Sequence, residues 1–331
     1  MRKLLFRLTL LLFICLAIGG SFAHRYLFDS LAPEEPFTYH LPAGSSLSQV
    51  AAELHSGGVL RTPLSLKLFA RLNQQGGRIQ SGTYRFTAAA TPEQVLERLV
   101  TGDVEKVSLT IPEGFTKAQI FARIDTLGYG DQNKLQQLAT DVDFIKSLQL
   151  DATSLEGYLF PETYLFTPGV DEARLLKMMV EHFRTQLTNE LLQKAKQRNL
   201  TLHQLVTLAS IIEKETGQAD EMPLISSVFH NRLQRGIQLQ TDPTVIYGLS
   251  NFDGNLTRKH LTTPTPYNTY VIRGLPPGPI ANPGLAALTA AAEPAESKYL
   301  YFVARGDGSH QFSKTLQEHN RAVRKYQLKR R

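Results

Sequence analysis

The sequence predicts an α+β protein with an N-terminal transmembrane helix, a small module after it, and a larger mixed α+β domain. One observation behind this prediction is an uncharged apolar run at residues 8–23. Another is that short strand-like segments, FTYHLP, GTYRF and YLYFVA, lie far apart between stretches with helical periodicity. Short strands separated by several helices favour α+β over the regular alternation of a doubly wound sheet.

The apolar run at the start is long enough for a membrane anchor. If Arg7 reaches toward the lipid surface, the run extends over residues 4–23, close to the roughly 20 residues that a spanning helix needs. Arg2 and Lys3 precede it, so the N-terminus is predicted to be cytoplasmic and the rest of the chain exported. A cleaved signal peptide is the alternative, with Ser21-Phe22-Ala23 as its cleavage site. The length of the run favours the retained anchor, and both interpretations export the chain.

Four parts are predicted along the chain. Residues 1–28 form the cytoplasmic start and the anchor, and the acidic segment DSLAPEEP at residues 29–36 is a linker. Residues 37–104 form a small module with strand, helix, helix, strand and helix in that order. Residues 105–331 form the larger domain, in which one long helical region is expected at 171–198 and another helix at 202–216.

Composition excludes several classes of site. The net charge is +6 and the pI about 9.3, with a basic C-terminal segment at residues 321–331. The basic residues are not interleaved with aromatic ones, so no nucleic acid partner is predicted. The single cysteine, Cys15, lies in the apolar run, which leaves the larger domain without a thiolate or a disulfide. His310 and His319 lack a third ligand, so neither a metal nor a cofactor is predicted.

A Glu-Lys-Glu triplet closes the helix predicted at 202–216. Its apolar stripe is formed by Leu205, Leu208, Ala209 and Ile212, and places Glu213 and Glu215 at opposite edges. Both carboxylates fall in the last turn, where the helix dipole and partial burial raise a carboxyl pKa. A carboxylic acid that stays protonated near neutral pH suits a general acid. The commoner alternative for such a triplet is a solvated helix end.

A long stretch rich in proline and glycine, residues 238–284, is predicted to build a site. Compact domains seldom carry so long an irregular segment without a functional reason. The side chains chosen as sugar-binding candidates offer aromatic faces, amides and one carboxylate: Gln240, Asp242, Tyr247, Tyr267 and Asn268.

Five blocks, taken together, resemble the YceG-like family of endolytic murein transglycosylases. They are LASIIEKET, QTDPTVIYG, TPYNTY, GLPPGPIANPG and YLYFVA followed by HQFSKTLQEHN. The segment FTYHLPAGSSLSQVAAELHSGGVL resembles a LysM-like module, for which glycan binding and a spacer role are equally expected. The resemblance implies a single-pass inner-membrane protein with a periplasmic catalytic domain, and Glu215 as its catalytic residue. Its implied substrate is the peptidoglycan glycan strand, its products end in 1,6-anhydro-MurNAc, and peptidoglycan synthases are expected partners.

Two alternatives stay open at this point. One is a hydrolase in which a second carboxylate, such as Asp242, assists Glu215. The other is a non-catalytic glycan-binding scaffold. Among the remaining polar residues, Glu156 is expected to be a structural hydrogen-bonding group, Glu213 to brace the site, and Lys214 to face solvent.

Overall fold

A computed structural model describes residues 2–328, with side chains from residue 10 onward. The chain folds as two compact units. The first comprises the chain up to Ser108 together with Leu165–Gly169, and the second comprises Leu109–Tyr164 and the chain from Val170 onward. The charged residues Arg2, Lys3 and Arg7, and the basic residues 329–331, lie outside the described side chains. The four-part division of the chain stays a prediction.

The first unit begins with one long apolar helix. Its elements are α1 (Arg2–Phe28), β1 (Phe37–Leu41), α2 (Leu47–Ser56), α3 (Pro63–Leu72), β2 (Gly82–Phe86) and α4 (Pro92–Thr101). In α1, the segment Leu10–Phe28 is long and apolar enough to cross a membrane, a criterion that a signal sequence also meets. The predicted N-terminal apolar helix is therefore confirmed as a helix.

A small α+β core follows α1. Strands β1 and β2 pair antiparallel, with Tyr39 opposite Tyr84. Two capping boxes, Ser46 with Gln49 and Thr91 with Gln94, start α2 and α4 by satisfying the free amides of the first turn. The core lies between the sheet and the helices, and its members are apolar and fully buried, among them Leu54, Leu66, Tyr84, Phe86 and Leu99.

The remaining elements are mainly helical. They are β3 (Val107–Thr110), α5 (Lys117–Thr126), α6 (Gln132–Leu138), α7 (Val142–Ser147), β4 (Thr163–Phe166), α8 (Glu172–Gln186), α9 (Asn189–Gln197), α10 (Leu202–Glu215), α11 (Met222–Gln234), α12 (Asp242–Tyr247), α13 (Arg258–Thr262), α14 (Leu285–Ala292), β5 (Tyr301–Ala304), β6 (His310–Ser313) and α15 (Leu316–Val323). Strand β5 pairs antiparallel with β6, and β3 pairs with β4. The predicted α+β class is confirmed.

Helix α10 is the central helix of the second unit. All eight residues from Leu205 to Ile212 are buried, because α9, α11, α12 and α14 pack around it. The four residues of the predicted apolar stripe are all buried, and burial extends beyond the stripe to the remaining faces of this segment. Two polar residues inside it, Thr207 and Ser210, donate to carbonyls of their own helix, at 2.7 Å in each case. Their hydroxyls thus enter the core without an unsatisfied donor.

Two local expectations also need correction. The helix expected over residues 171–198 is two helices, because the chain leaves α8 at Leu187 and Thr188 caps α9 by accepting from the Leu191 amide. The stretch 238–284 is not wholly irregular, since it contains α12 and α13. Threonines precede both of these short helices, and the sequence pattern alone had indicated loops.

Candidate active site

Glu215 is the last residue of α10, and its carboxyl group lines a cavity of about 460 Å³. The backbone becomes extended at Thr216, which ends the helix immediately after Glu215. The rest of the lining comes from α11, the start of α12 and the loop before it, the segment after α13, the β5–β6 hairpin, and α15 with the residues after it. It includes Arg232, Gln240, Asp242, Tyr270, Tyr301, His310 and His319. The cavity therefore holds one carboxyl from the buried central helix and polar groups from segments distant in sequence.

Thr241 holds the carboxyl of Glu215 by a hydrogen bond. Its hydroxyl donates to Glu215 Oε1, although Thr241 occupies the N-cap position of α12, where a threonine usually caps its own helix. The Thr241 amide donates to Thr269 Oγ1 at 3.1 Å, and the hydroxyls of Thr244 and Thr269 lie 2.8 Å apart. This group of buried threonines fixes the donor that faces the carboxyl.

The surroundings of Glu215 favour its protonated form. Burial raises its pKa from 4.5 to about 7, and the charge of Asp242 acts in the same direction. The hydrogen bond from Thr241 and the charges of His310 and Arg232 act the other way, and burial outweighs them. Near neutral pH the carboxyl is therefore close to half protonated, as a group that both gives and takes a proton requires.

Two of the predicted binding residues, Gln240 and Asp242, lie in this cavity. Gln240 has a left-handed backbone with φ of 51°, which is uncommon for a residue with a side chain. Its amide oxygen accepts from Arg232 at 3.4 Å, and Asp242 accepts from the Tyr270 hydroxyl at 2.7 Å. Both side chains are exposed, so they are accessible from the cavity.

The other two predicted aromatic residues belong to a second cluster around Glu156. The rings of Tyr247 and Tyr267 lie 4.9 Å apart, and the Tyr247 hydroxyl donates to Glu156 Oε2 at 3.1 Å. Glu156 is 4% exposed, and its Oε1 also accepts from the Lys117 amide and from the Asn282 side chain. Burial raises the pKa of Glu156 to about 7. Neither tyrosine lines the cavity of Glu215.

The fifth predicted binding residue, Asn268, has no free hydrogen-bonding group at the surface. Its side chain is fully buried, and Nδ2 donates to three carbonyls at the end of α13, those of His260, Leu261 and Thr263. Its Oδ1 accepts from the Tyr270 amide. These contacts hold the TPYNTY segment together, and they leave no donor or acceptor for a ligand.

The other two members of the Glu-Lys-Glu triplet have structural contacts. Glu213 accepts from the Gly284 amide at 3.0 Å, at the start of α14, and burial raises its pKa. Lys214 is exposed, and its Nζ donates to the Gly114 carbonyl. The two ends of the triplet thus face different surroundings, and only Glu215 reaches the cavity.

The proline-rich block GLPPGPIANPG has two hydrogen-bonding contacts with α10 and packs closely on Gly157. Ser210 Oγ accepts from the Ile280 amide at 3.0 Å, and His203 Nε2 lies 2.8 Å from the Pro277 carbonyl. Gly157 has φ of 87°, and a Cβ there would lie 2.5 Å from Pro279. The block is therefore fixed by the core and does not form a free loop.

Several residues of the cavity were missed by sequence reasoning. Thr241, which donates to Glu215 beside the cavity, stands between two predicted residues in a stretch that the sequence indicated as irregular. Arg232 is buried and donates to the Leu239 and Leu300 carbonyls, so its positive charge is held in the wall of the cavity. His310 was considered only as a metal ligand. Among the described side chains, no group of three or more His, Cys, Asp or Glu residues could hold a metal ion.

Comparisons with known proteins match most of the chain. The sequence model of the YceG-like family matches residues 39–325. A Bacillus subtilis (strain 168) protein named endolytic murein transglycosylase is 32% identical, over 94% of this chain and 91% of its own length. A Streptococcus pneumoniae (strain D39) protein of the same name is 27% identical over 96% of this chain, which spans 64% of that protein.

A solved structure gives the same assignment. The crystal structure of a YceG-like protein from Listeria monocytogenes matches 87% of this chain and 99% of its own, with 32% identity and a TM-score of 0.60. The family match covers most of the chain, including the blocks that form the cavity around Glu215. The chain belongs to the YceG-like family.

Proposed function

We propose that this chain is a lytic transglycosylase that cleaves the glycan strands of peptidoglycan, with Glu215 as general acid and then general base. One observation carries the proposal: Glu215 lines a cavity, and burial raises the pKa of its carboxyl to about 7. The names of the relatives from Bacillus subtilis and Streptococcus pneumoniae support the same activity, and they support cleavage within strands.

The proposed reaction needs one carboxyl group. Protonated Glu215 gives its proton to the oxygen between MurNAc and GlcNAc as the bond from C1 to that oxygen breaks. The 6-hydroxyl of the same MurNAc forms a new bond to C1, and the Glu215 carboxylate takes the proton of that hydroxyl. The product ends in 1,6-anhydro-MurNAc, and no water enters. Glycosidases that use water usually need a second carboxylate, which this reaction does not.

The other predicted site residues divide into two groups. We place Gln240 and Asp242 against the bound glycan, because both line the cavity of Glu215. Tyr247 and Tyr267 are proposed to contact the glycan outside this cavity, as a pair of aromatic rings tilted against each other near Glu156. For Asn268 a role in holding the loop is better supported than contact with the glycan, because its amide is committed to backbone carbonyls.

The substitution Glu215→Gln tests the proposal. The amide keeps the shape of the side chain but cannot give a proton, so strand cleavage by the purified chain should fall by about a hundredfold or more. Glu213→Gln is the matched control on the same helix, because its amide oxygen can still accept from Gly284, and it should keep most of the cleavage activity. Mass spectrometry of the digested strands measures both the rate and the product ends.

Two outcomes of this experiment separate the alternatives. Reducing MurNAc ends, in place of anhydro ends, would favour a hydrolase, for which Asp242 in the same cavity is the available second carboxylate. Full cleavage by the Glu215→Gln chain would refute the assignment of the acid. A non-catalytic scaffold predicts that the variant supports normal growth in cells that lack the wild-type chain.

We propose that α1 anchors the chain in the inner membrane, with the N-terminus in the cytoplasm and the chain after α1 in the periplasm. The supporting observation is the apolar segment Leu10–Phe28, whose side chains are mostly exposed. The intact mass of the chain purified from membranes tests the anchor. Loss of the first 23 residues would identify a cleaved signal peptide instead.

Residues 37–104 are proposed to form a LysM-like module, and residues 105–331 the catalytic domain. The order β1–α2–α3–β2, with the two strands antiparallel, supports the LysM-like assignment.

We further propose that the enzyme acts on nascent strands beside peptidoglycan synthases and ends their elongation. Longer strands in cells that carry the Glu215→Gln chain, measured by chromatography of released glycans, would support this role, whereas unchanged lengths would contradict it.

A further inference from the structure

A histidine and a glutamate form a tightly held pair at the edge of the Glu215 cavity. Glu221 Oε1 accepts from the backbone amide of His310 at 2.9 Å, and Glu221 Oε2 lies 2.6 Å from His310 Nδ1. The two side chains are only 10% and 15% exposed. Phe302, 5.5 Å away and nearly perpendicular, packs against the imidazole ring. Position and orientation of the ring are therefore fixed.

The pair also fixes which nitrogen of His310 carries the proton. An ionised carboxylate only accepts hydrogen bonds, so Nδ1 must donate to Glu221. In the neutral ring Nε2 is then an acceptor. The ring lines the cavity, and its Nδ1 edge is turned to Glu221, which leaves the Nε2 edge facing the cavity. No hydrogen bond among the described residues uses this nitrogen.

A structural histidine of the same unit shows the difference. His203 uses both ring nitrogens inside the fold, Nδ1 with the Tyr158 hydroxyl at 2.7 Å and Nε2 with the Pro277 carbonyl at 2.8 Å. His310 uses only one, and its free nitrogen faces the cavity that contains the proposed acid. A purely structural role would not require an open acceptor there.

We propose that His310 is a substrate-binding residue whose Nε2 accepts a hydrogen bond from the 2-acetamido N–H of a sugar bound against Glu215. The inference rests on the proposed function. A sugar hydroxyl can donate or accept, so it would bind either form of the ring, whereas an amide N–H binds only an acceptor. With Nδ1 donating to Glu221, Nε2 of the neutral ring is an acceptor, and the amide N–H is the group on the glycan that can only donate to it.

The substitution Glu221→Gln tests this assignment directly. The His310 backbone amide still needs an acceptor, so the amide oxygen of Gln turns toward it and the NH₂ group turns toward Nδ1. Nδ1 then accepts, and Nε2 carries the proton. In this variant the Nε2–H of His310 meets the acetamido N–H of the bound sugar, and two donors cannot form a hydrogen bond. The shapes of both side chains in the pair are nevertheless kept.

Binding is measured with the full chain in detergent and with peptide-free glycan strands, in a Glu215→Gln background that prevents cleavage. We expect His310→Ala to weaken binding about tenfold, the effect of one lost hydrogen bond of about 1.4 kcal/mol. Glu221→Gln should weaken it at least as much. His310→Gln should keep most of the affinity, because its amide oxygen can accept near the position of Nε2.

Control variants separate this effect from a change in folding. His182 and Glu162 form a second histidine–glutamate pair, with Nε2 and Oε2 3.8 Å apart, and neither residue lines the cavity. The control substitutions His182→Ala and Glu162→Gln should therefore not change binding. Combining His310→Gln with Glu221→Gln should restore the affinity of His310→Gln, because no ring remains to be held. If the double variant stays weak, the loss in Glu221→Gln comes from the fold and the proposal fails.

Other outcomes also overturn the proposal. Unchanged binding by His310→Ala would exclude a contact with the glycan, and full binding by Glu221→Gln would show that Nε2 donates. The proposed function is tested separately, by measuring strand cleavage with the wild-type chain and with Glu215→Gln. Binding to peptide-free strands therefore decides the role of His310 even if the cleavage chemistry proves different.

Discussion

Replacing Thr241 with valine should raise the pKa of Glu215. The Thr241 hydroxyl donates to Glu215 Oε1 and stabilises the ionised carboxylate. Thr241 is 2% exposed, and valine has nearly the same shape, so the change removes the donor and little else. Hydrogen bonds to charged groups contribute about 1.5–3 kcal/mol, and one pKa unit corresponds to about 1.36 kcal/mol. The expected shift is therefore about one to two units upward.

The assay is the pH dependence of kcat/KM for strand cleavage. Glu215 must be protonated to act as the acid, so the wild-type rate should fall as the pH rises through about 7. In the Thr241→Val chain the same fall should occur at about pH 8 or higher. The absolute rate can also decrease, because the carboxyl is held less firmly, and the midpoint is the informative quantity.

Thr244→Val is the matched control for this experiment. Thr244 is buried in the same threonine group, and its hydroxyl contacts Thr269 and the Thr241 carbonyl but not Glu215. Its pH midpoint should stay within a few tenths of the wild-type value, a spread smaller than the roughly one-unit shift expected for Thr241→Val. A Thr241→Val midpoint that is unchanged, or lower than that of the wild type, would refute the reasoning that this hydroxyl stabilises the ionised acid.

Three further predictions concern the free energy of unfolding of the intact chain in detergent. Because burial raises the pKa of Glu156 from 4.5 to about 7, this carboxyl ionises in the unfolded chain but stays protonated in the folded one between these pH values, which should cost the wild type up to about 3 kcal/mol as the pH rises. Glu156→Gln should remove this contribution and keep that of Glu215, whose pKa is raised in the same way. Ser210→Ala leaves a buried amide of the proline-rich block unpaired and should cost about 1–3 kcal/mol. Gly157→Ala, whose Cβ would meet Pro279 at 2.5 Å, should cost more than Gly128→Ala, where φ is also positive but no atom lies within 4 Å. Equal losses in the two glycine variants would contradict the packing argument.

Much of the fold was predictable because its signals are local. Helices α2 and α4 start at Ser46 and Thr91, whose side chains bond to residues three positions later, so the sequence alone contains both partners. The burial of every residue from Leu205 to Ile212 in α10 has no such signal. It depends on α9, α11, α12 and α14, and small polar residues such as Ser210 look solvent-facing until their partners are known.

The candidate site was predictable only in part, for a geometric reason. Asp242 and Tyr247 are neighbours in one sequence block, but they open and close α12, where five residues correspond to a rotation of about 140°. One therefore lines the cavity of Glu215 while the other contacts Glu156. His310 lies 89 positions from Glu221, so no pattern of sequence spacing could have indicated that pair.

Two carboxyl groups in this unit have a raised pKa of about 7, and access distinguishes them. Glu156 is sealed in the core, where an amide N–H, a side-chain amide and a tyrosine hydroxyl occupy both of its oxygens. Glu215 has one donor, Thr241, and its carboxyl opens into a cavity. A general acid must reach the oxygen that it protonates, and a buried group whose two oxygens both accept hydrogen bonds within the core cannot do so without disrupting the fold. Burial alone therefore makes both groups protonatable near neutral pH, but only the end of α10 brings one of them to a surface that a glycan strand can approach.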